Sequence, residues 1–148
     1  MGERIRELGN EYGATTGRPR RCGWLDAVAL RYGLELNGAD GWILTNLDVL
    51  SPFEEIPVAV AYERGKRRSE EFPFGCASLE EVRPVYERRP GWGADITGVR
   101  HHADLPAAAQ DYVAWVEKRA GVPIVLISVG PERDQVIPRA GLTLARQP

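Results

Sequence analysis

The chain has 148 residues, a formal net charge of −2 and 43% hydrophobic residues. That length suits one domain with a sizeable core, and an ordinary apolar fraction with 27% charged residues excludes global disorder. A near-neutral chain is not a dedicated nucleic-acid binder, whose domains are strongly basic, and no apolar run approaches the ~20 residues that span a bilayer.

Residues 1–23 read as loop with one helical turn at Glu3–Leu8. Met1 to Gly9 is charged rather than apolar, unlike a secretory signal. Trp24–Asn37 reads as a helix: Trp24, Val28 and Tyr32 recur at helical spacing, and Gly38 suits the stop. Trp42–Leu47 reads as a buried strand with Asp48 at its carboxyl end, and Pro57–Tyr62 as a second strand. Glu63–Phe74 reads as a hairpin or exposed excursion. Ser78, with Glu81 three residues on, has capping-box spacing. Val82–Tyr86 reads as a strand that Pro84 confines to an edge or a strand start. Pro106–Ala120 is the clearest helix, with Ala109, Val113 and Val116 in register and Gly121 and Pro123 after it. Ile124–Val129 reads as a strand buried on both faces, ended by Gly130 and Pro131. The order of elements predicts an α/β or α+β layer structure. Two cysteines, Cys22 and Cys76, make no disulfide framework, so a reduced cytoplasmic setting is expected.

Three stretches could carry chemistry. In Gly13–Arg21, two threonines and three guanidiniums lie among glycines. Glycine lets backbone N–H groups approach a ligand, and arginine offers a rigid fork to carboxylate or phosphate. The competing reading is a solvated basic loop. Thr45–Asp48 puts a carboxylate at a strand end, where open α/β sheets bind ligands and where it could accept two hydrogen bonds from a guanine edge. An ordinary turn, with Asp48 bonding its own backbone, competes. Ser128–Pro131 could present N–H groups to a ligand or be a plain turn. His101 and His102 are adjacent, so they point apart and do not make a metal site. No phosphate-cradling glycine loop occurs.

Taken together, these residues resemble a known family. Gly9–Asp26 (GNEYGATTGRPRRCGWLD), Thr45–Leu50, Val58–Tyr62, Pro84–Glu87, Pro90–Trp92, Leu105–Pro106, Gly121–Ile124 and Ile127–Arg133 are similar, in order, to adenylosuccinate synthetase. The resemblance implies the C-terminal part of a P-loop-NTPase-like mixed sheet with flanking helices. It makes 1–148 a fragment of that enzyme, with 1–23 the substrate-loop region and 24–148 a body bearing guanine-binding turns. The family joins IMP and L-aspartate through a 6-phosphoryl-IMP intermediate, driven by GTP with Mg²⁺, and the parent is expected to be a homodimer. Its phosphate loop, catalytic aspartate and catalytic histidine have no counterpart here, so inactivity alone is expected, with no catalytic residue, no metal ligand and no cofactor held by this chain.

Carried over residue by residue, Ala14, Thr15, Thr16, Gly17, Arg18, Pro19 and Arg20 match the aspartate loop. Arg18 also touches IMP and Arg20 the GTP side. Asn46, Leu47 and Asp48 match the guanine-reading segment, and Ser128, Val129 and Gly130 the second guanine turn, with Pro131 packing on the base. Asn46 stands where the family pattern has lysine, which predicts weaker nucleotide binding by ~1 kcal/mol of lost packing and cation–π contact. The alternative is a stand-alone, non-catalytic module that binds a nucleotide or a carboxylate.

Overall fold

The structure is a computed structural model that describes residues 1–73 and 79–139. Ser78, the expected capping residue, and Cys76 lie outside the described residues. Helix α1 (Gly2–Leu8) opens the chain and buries Ile5, so the polar start is a short docked helix rather than a loop with one turn. Helix α2 (Ala27–Asn37) begins three residues later than the apolar spacing predicts. The reason is Asp26, whose Oδ1 accepts the N–H groups of Val28 and Ala29 at 3.0 and 2.9 Å and caps the helix. Just before it, the Leu25 carbonyl accepts the Ala59 N–H at 2.9 Å, which ties Leu25 to a strand instead. Gly38 closes α2 in the left-handed region at φ 57°.

Two three-stranded sheets follow. In one, β1 (Trp42–Leu44) lies parallel to β5 (Ile124–Ser128), and β6 (Val136–Pro138) runs antiparallel on the other side of β5. In the other, β2 (Glu55–Arg64) is central between β3 (Arg67–Ser69) and β4 (Arg83–Pro90). The excursion is therefore a hairpin turning at Gly65, and β4 is the edge strand that Pro84 predicts. Helix α3 (Ala107–Ala120) matches the expected span to one residue and ends at Gly121, φ 73°. The expected mixed sheet with flanking helices is present.

The strand expected over Trp42–Leu47 ends at Leu44. Asn46 adopts φ 60°, which breaks the extended run, and Asp48–Leu50 then coils into a 3₁₀ turn. Asp48 thus sits on a turn, not at the strand end itself. β5 also stops one residue short, at Ser128, although Ile124 and Ile127, on opposite faces, are both fully buried. β6 is a strand that the sequence did not announce, because Val-Ile-Pro is too short to show a period. The core gathers Leu47, Ile56, Val58, Ile96, Val113, Val116, Ile127 and Val129 between the sheets and α3.

Candidate functional site

Two groups of residues flank β1 and β5. The first is the arginine loop. Tyr12 and Pro19 pair in an antiparallel bridge. Between them, the Gly13 N–H donates to the Arg18 carbonyl (2.9 Å) and the Gly17 N–H to the Gly13 carbonyl (2.8 Å). Gly17 takes φ 63°, a conformation open to glycine without a Cβ penalty. The Thr16 Oγ1 accepts the Arg18 N–H at 3.4 Å. Ala14 through Arg20 are exposed, and among the described residues the Arg18 guanidinium has no partner.

Arg20 is held differently. Its Nη1 meets the Glu11 Oε2 at 2.8 Å, its N–H donates to the Glu11 carbonyl at 3.0 Å, and its carbonyl accepts Arg6 Nε at 2.7 Å. The other Glu11 oxygen, Oε1, accepts Asn46 Nδ2 at 3.0 Å. Glu11 therefore joins the arginine loop to the segment before Asp48. A cleft of about 380 Å³ lies at this junction, with Glu11, Arg20, Cys22, Asn46, Leu44 and Tyr112 on its walls.

The second group is built on buried residues. Leu47 and Val129 are fully buried, and the Leu47 N–H donates to the Ser128 carbonyl at 3.1 Å. That bond sets the Asp48 turn beside the turn that ends β5. Ser128 Oγ donates to the Gly130 carbonyl at 3.0 Å, and the Val129 N–H donates to the Gln135 carbonyl at 2.9 Å. The Gly130 N–H has no partner among the described residues. Asp48 is half-buried, and its Oδ1 is shut from solvent with no hydrogen-bond partner among the described residues. Burial pushes its carboxyl above the usual carboxylate range. The N–H groups of Asp48 and Val49 oppose that shift, and the nearby charge of Asp95 adds to it. A half-buried carboxylate on a turn joined to one whose N–H has no partner among the described residues suits a ligand edge that both donates and accepts.

The structure thus brings Leu47 and Asp48 to Ser128–Gly130, and Arg20 to Asn46 through Glu11. No hydrogen bond or ion pair among the described residues joins Ala14–Arg18 to Asp48. Among the described residues, no cluster of three His, Cys, Asp or Glu side chains could hold a metal. His102 is a half-buried imidazole whose pKa is lowered by burial and by Arg139.

The family model for adenylosuccinate synthetase matches residues 1–137. The chain belongs to the adenylosuccinate synthetase family. The synthetase of Aquifex aeolicus is 50% identical over 136 residues, and that of Acidothermus cellulolyticus 53% identical over 137. Each match covers 92% of this chain and 32% of the relative, so the chain spans about a third of their length. The fully ligated adenylosuccinate synthetase of Plasmodium falciparum superposes with a TM-score of 0.87 at 42% identity, over 93% of this chain and 34% of that one. The α/β fold is therefore that of a stretch of a synthetase. No described helix is long and apolar enough to cross a membrane.

Glu11 and Asp95 are the site residues that sequence reasoning missed. Glu11 had a usable signal: an acid and a base flank one loop at Glu11 and Arg20, as cross-strand partners do. Asp95 had none, since only folding brings its charge to Asp48.

Proposed function

We propose that this chain is the C-terminal aspartate-, IMP- and guanine-contacting part of a GTP-dependent ligase that joins IMP and L-aspartate into adenylosuccinate. In this reading Thr15, Thr16, Arg18 and Arg20 hold the two carboxylates of aspartate, with Ala14, Gly17 and Pro19 shaping the loop. Arg18 also reaches IMP, and Arg20 the GTP side. Asp48 accepts the N1–H and 2-amino hydrogens of guanine, and the free Gly130 N–H donates to O6. Adenine offers neither match, because it presents an acceptor at N1 and a donor at C6. Asn46, Leu47, Ser128 and Val129 frame this edge, and exposed Pro131 packs on the base.

The observation that carries the reading is the half-buried Asp48 carboxylate on a turn that the Leu47-to-Ser128 bond joins to the turn whose Gly130 N–H has no partner among the described residues. The residues fit a guanine. In this reading no residue of the chain is assigned to Mg²⁺. Mg²⁺ and the phosphate-handling groups belong to the rest of a synthetase, which we take to be a cytoplasmic homodimer. The chain is a fragment of that enzyme in this reading, without activity of its own.

Complementation tests this. Mixed with the remaining portion of a family synthetase, plus IMP, GTP, Mg²⁺ and L-aspartate, the chain is expected to restore adenylosuccinate formation, and alone to give none. Product from the chain alone would overturn the reading. Asn46 supports a second one, a non-catalytic binding module, because a short neutral side chain stands where the family pattern has lysine. GDP binding without complementation would favour it.

A further inference from the structure

One side chain holds the Gly130 turn, and the guanine reading gives it no role. Gln135 uses every polar atom it has. Its carbonyl accepts the Val129 N–H at 2.9 Å, and its own N–H donates to the Glu132 carbonyl at 3.0 Å. Its Oε1 accepts the Glu132 N–H at 2.9 Å, and its Nε2 donates to the Thr97 carbonyl at 3.3 Å. The carboxamide also lies directly against Gly130, where any Cβ would run into it. A Cβ at Gly130 would push the carboxamide aside and disturb its bonds to Glu132 and Thr97.

The far end of this clamp is informative. Thr97 sits in the loop whose Asp95 acts electrostatically on Asp48. Asp95 Oδ1 accepts the Thr97 N–H at 2.9 Å, which fixes that carboxylate in place. Arg100 reinforces the same junction, donating to the Thr97 carbonyl at 2.7 Å and meeting Asp134 at 3.1 Å. Gln135 therefore stands where the Gly130 turn, joined to the Asp48 turn through the Leu47-to-Ser128 bond, is tied to the Asp95–Thr97 loop, whose charge reaches Asp48.

We propose that Gln135 is a positioning residue for guanine recognition: its carboxamide clamps the Gly130 turn to the Asp95–Thr97 loop and so fixes the Gly130 N–H relative to Asp48. The inference rests on the guanine reading above. A recognition edge made of one carboxylate and one backbone N–H is only as selective as the offset between them is rigid. Asp48 is anchored through Leu47, and Gln135 supplies the anchor for its partner.

The test is calorimetric titration of GDP into the 148-residue chain and into Gln135→Ala, Gln135→Glu and Asp48→Asn, at a temperature well below each melting midpoint. Gln135→Ala loses both side-chain bonds and is expected to weaken GDP roughly tenfold. Gln135→Glu keeps the acceptor for the Glu132 N–H but has no donor for Thr97, and is expected to lose roughly threefold. A merely structural role would lower the melting temperature and leave the GDP affinity of the folded chain unchanged, which would overturn the proposal while the guanine reading stood. If Gln135→Ala does not fold, Gln135→Glu decides, and unchanged affinity there overturns it too. Failure of the parent chain to bind GDP, or binding that Asp48→Asn does not weaken, would remove the guanine reading and this proposal with it.

Discussion

The arginine loop and the Asp48 and Gly130 turns are all short connections bearing polar groups, yet they are held in opposite ways. The Asp48 and Gly130 turns each hang on a fully buried neighbour, Leu47 and Val129, and are joined by a Leu47-to-Ser128 hydrogen bond. The Ala14–Arg20 loop has no buried residue and is shaped by its own backbone bonds, by Gly17 and Pro19, and by the exposed Arg20–Glu11 pair. In the reading proposed above, a flat base is selected by a rigid edge, which the core supplies. A small dicarboxylate is gathered by guanidiniums, whose long stems tolerate a softer base. The difference separates a site built by the fold from one built by local sequence.

The contrast can be broken most sharply through the core. Leu47→Ala is expected to cost about 3 kcal/mol of stability, because it empties a fully buried site. Arg18→Ala should stay within about 0.5 kcal/mol, since its side chain is exposed. Urea unfolding measures both, and equal losses would erase the distinction.

A pH series sharpens it next. Burial raises the Asp48 carboxyl above its ordinary value, so the native state keeps that proton to a higher pH than the unfolded chain does. Its contribution to stability therefore falls as pH rises through the interval between the two values. Guanine binding runs the other way, because the ionised carboxylate is the acceptor. GDP affinity should fall by up to about tenfold per pH unit below that raised value, whereas binding at the exposed arginines should show no such loss until their ligand itself protonates. Calorimetry across acidic pH reads the two slopes.

Smaller effects test the loop. Gly17→Ala must place a side chain at φ 63° and should cost about 1 kcal/mol, seen in the urea midpoint and as weaker aspartate binding, with GDP affinity unchanged. Glu11→Gln removes an exposed ion pair and should move stability by less than about 0.5 kcal/mol. A larger loss would mean that the bridge from Arg20 to Asn46 is a structural part of both regions.

The same contrast governs what could be read from the sequence. Helix α3 was legible because Ala109, Val113 and Val116 carry the period and Gly121 carries the stop. The arginine loop was legible because its chemistry is contiguous. The start of α2 was misjudged because apolar Trp24 and Leu25 continue the stripe, while the Asp26 cap and the bond from Ala59 to Leu25 decide the boundary. The strand after Trp42 was read too long because the break depends on one backbone angle at Asn46. The cluster around Asp48 was legible only in pieces: Asp48, Asp95 and the Gly130–Gln135 turn are far apart in the chain and are brought together by tertiary packing. Local order can be read from neighbours in sequence, but a site assembled by the core cannot.

The central claim is that Asp48 and the Gly130 turn form a guanine-reading edge. GDP and ADP titrated calorimetrically into the 148-residue chain and into Asp48→Asn test it most directly. The account predicts that GDP binds, that ADP binds far more weakly, and that Asp48→Asn weakens GDP by about a hundredfold through loss of charge-assisted bonds. Equal binding of GDP and ADP, or GDP binding unchanged by Asp48→Asn, would contradict it.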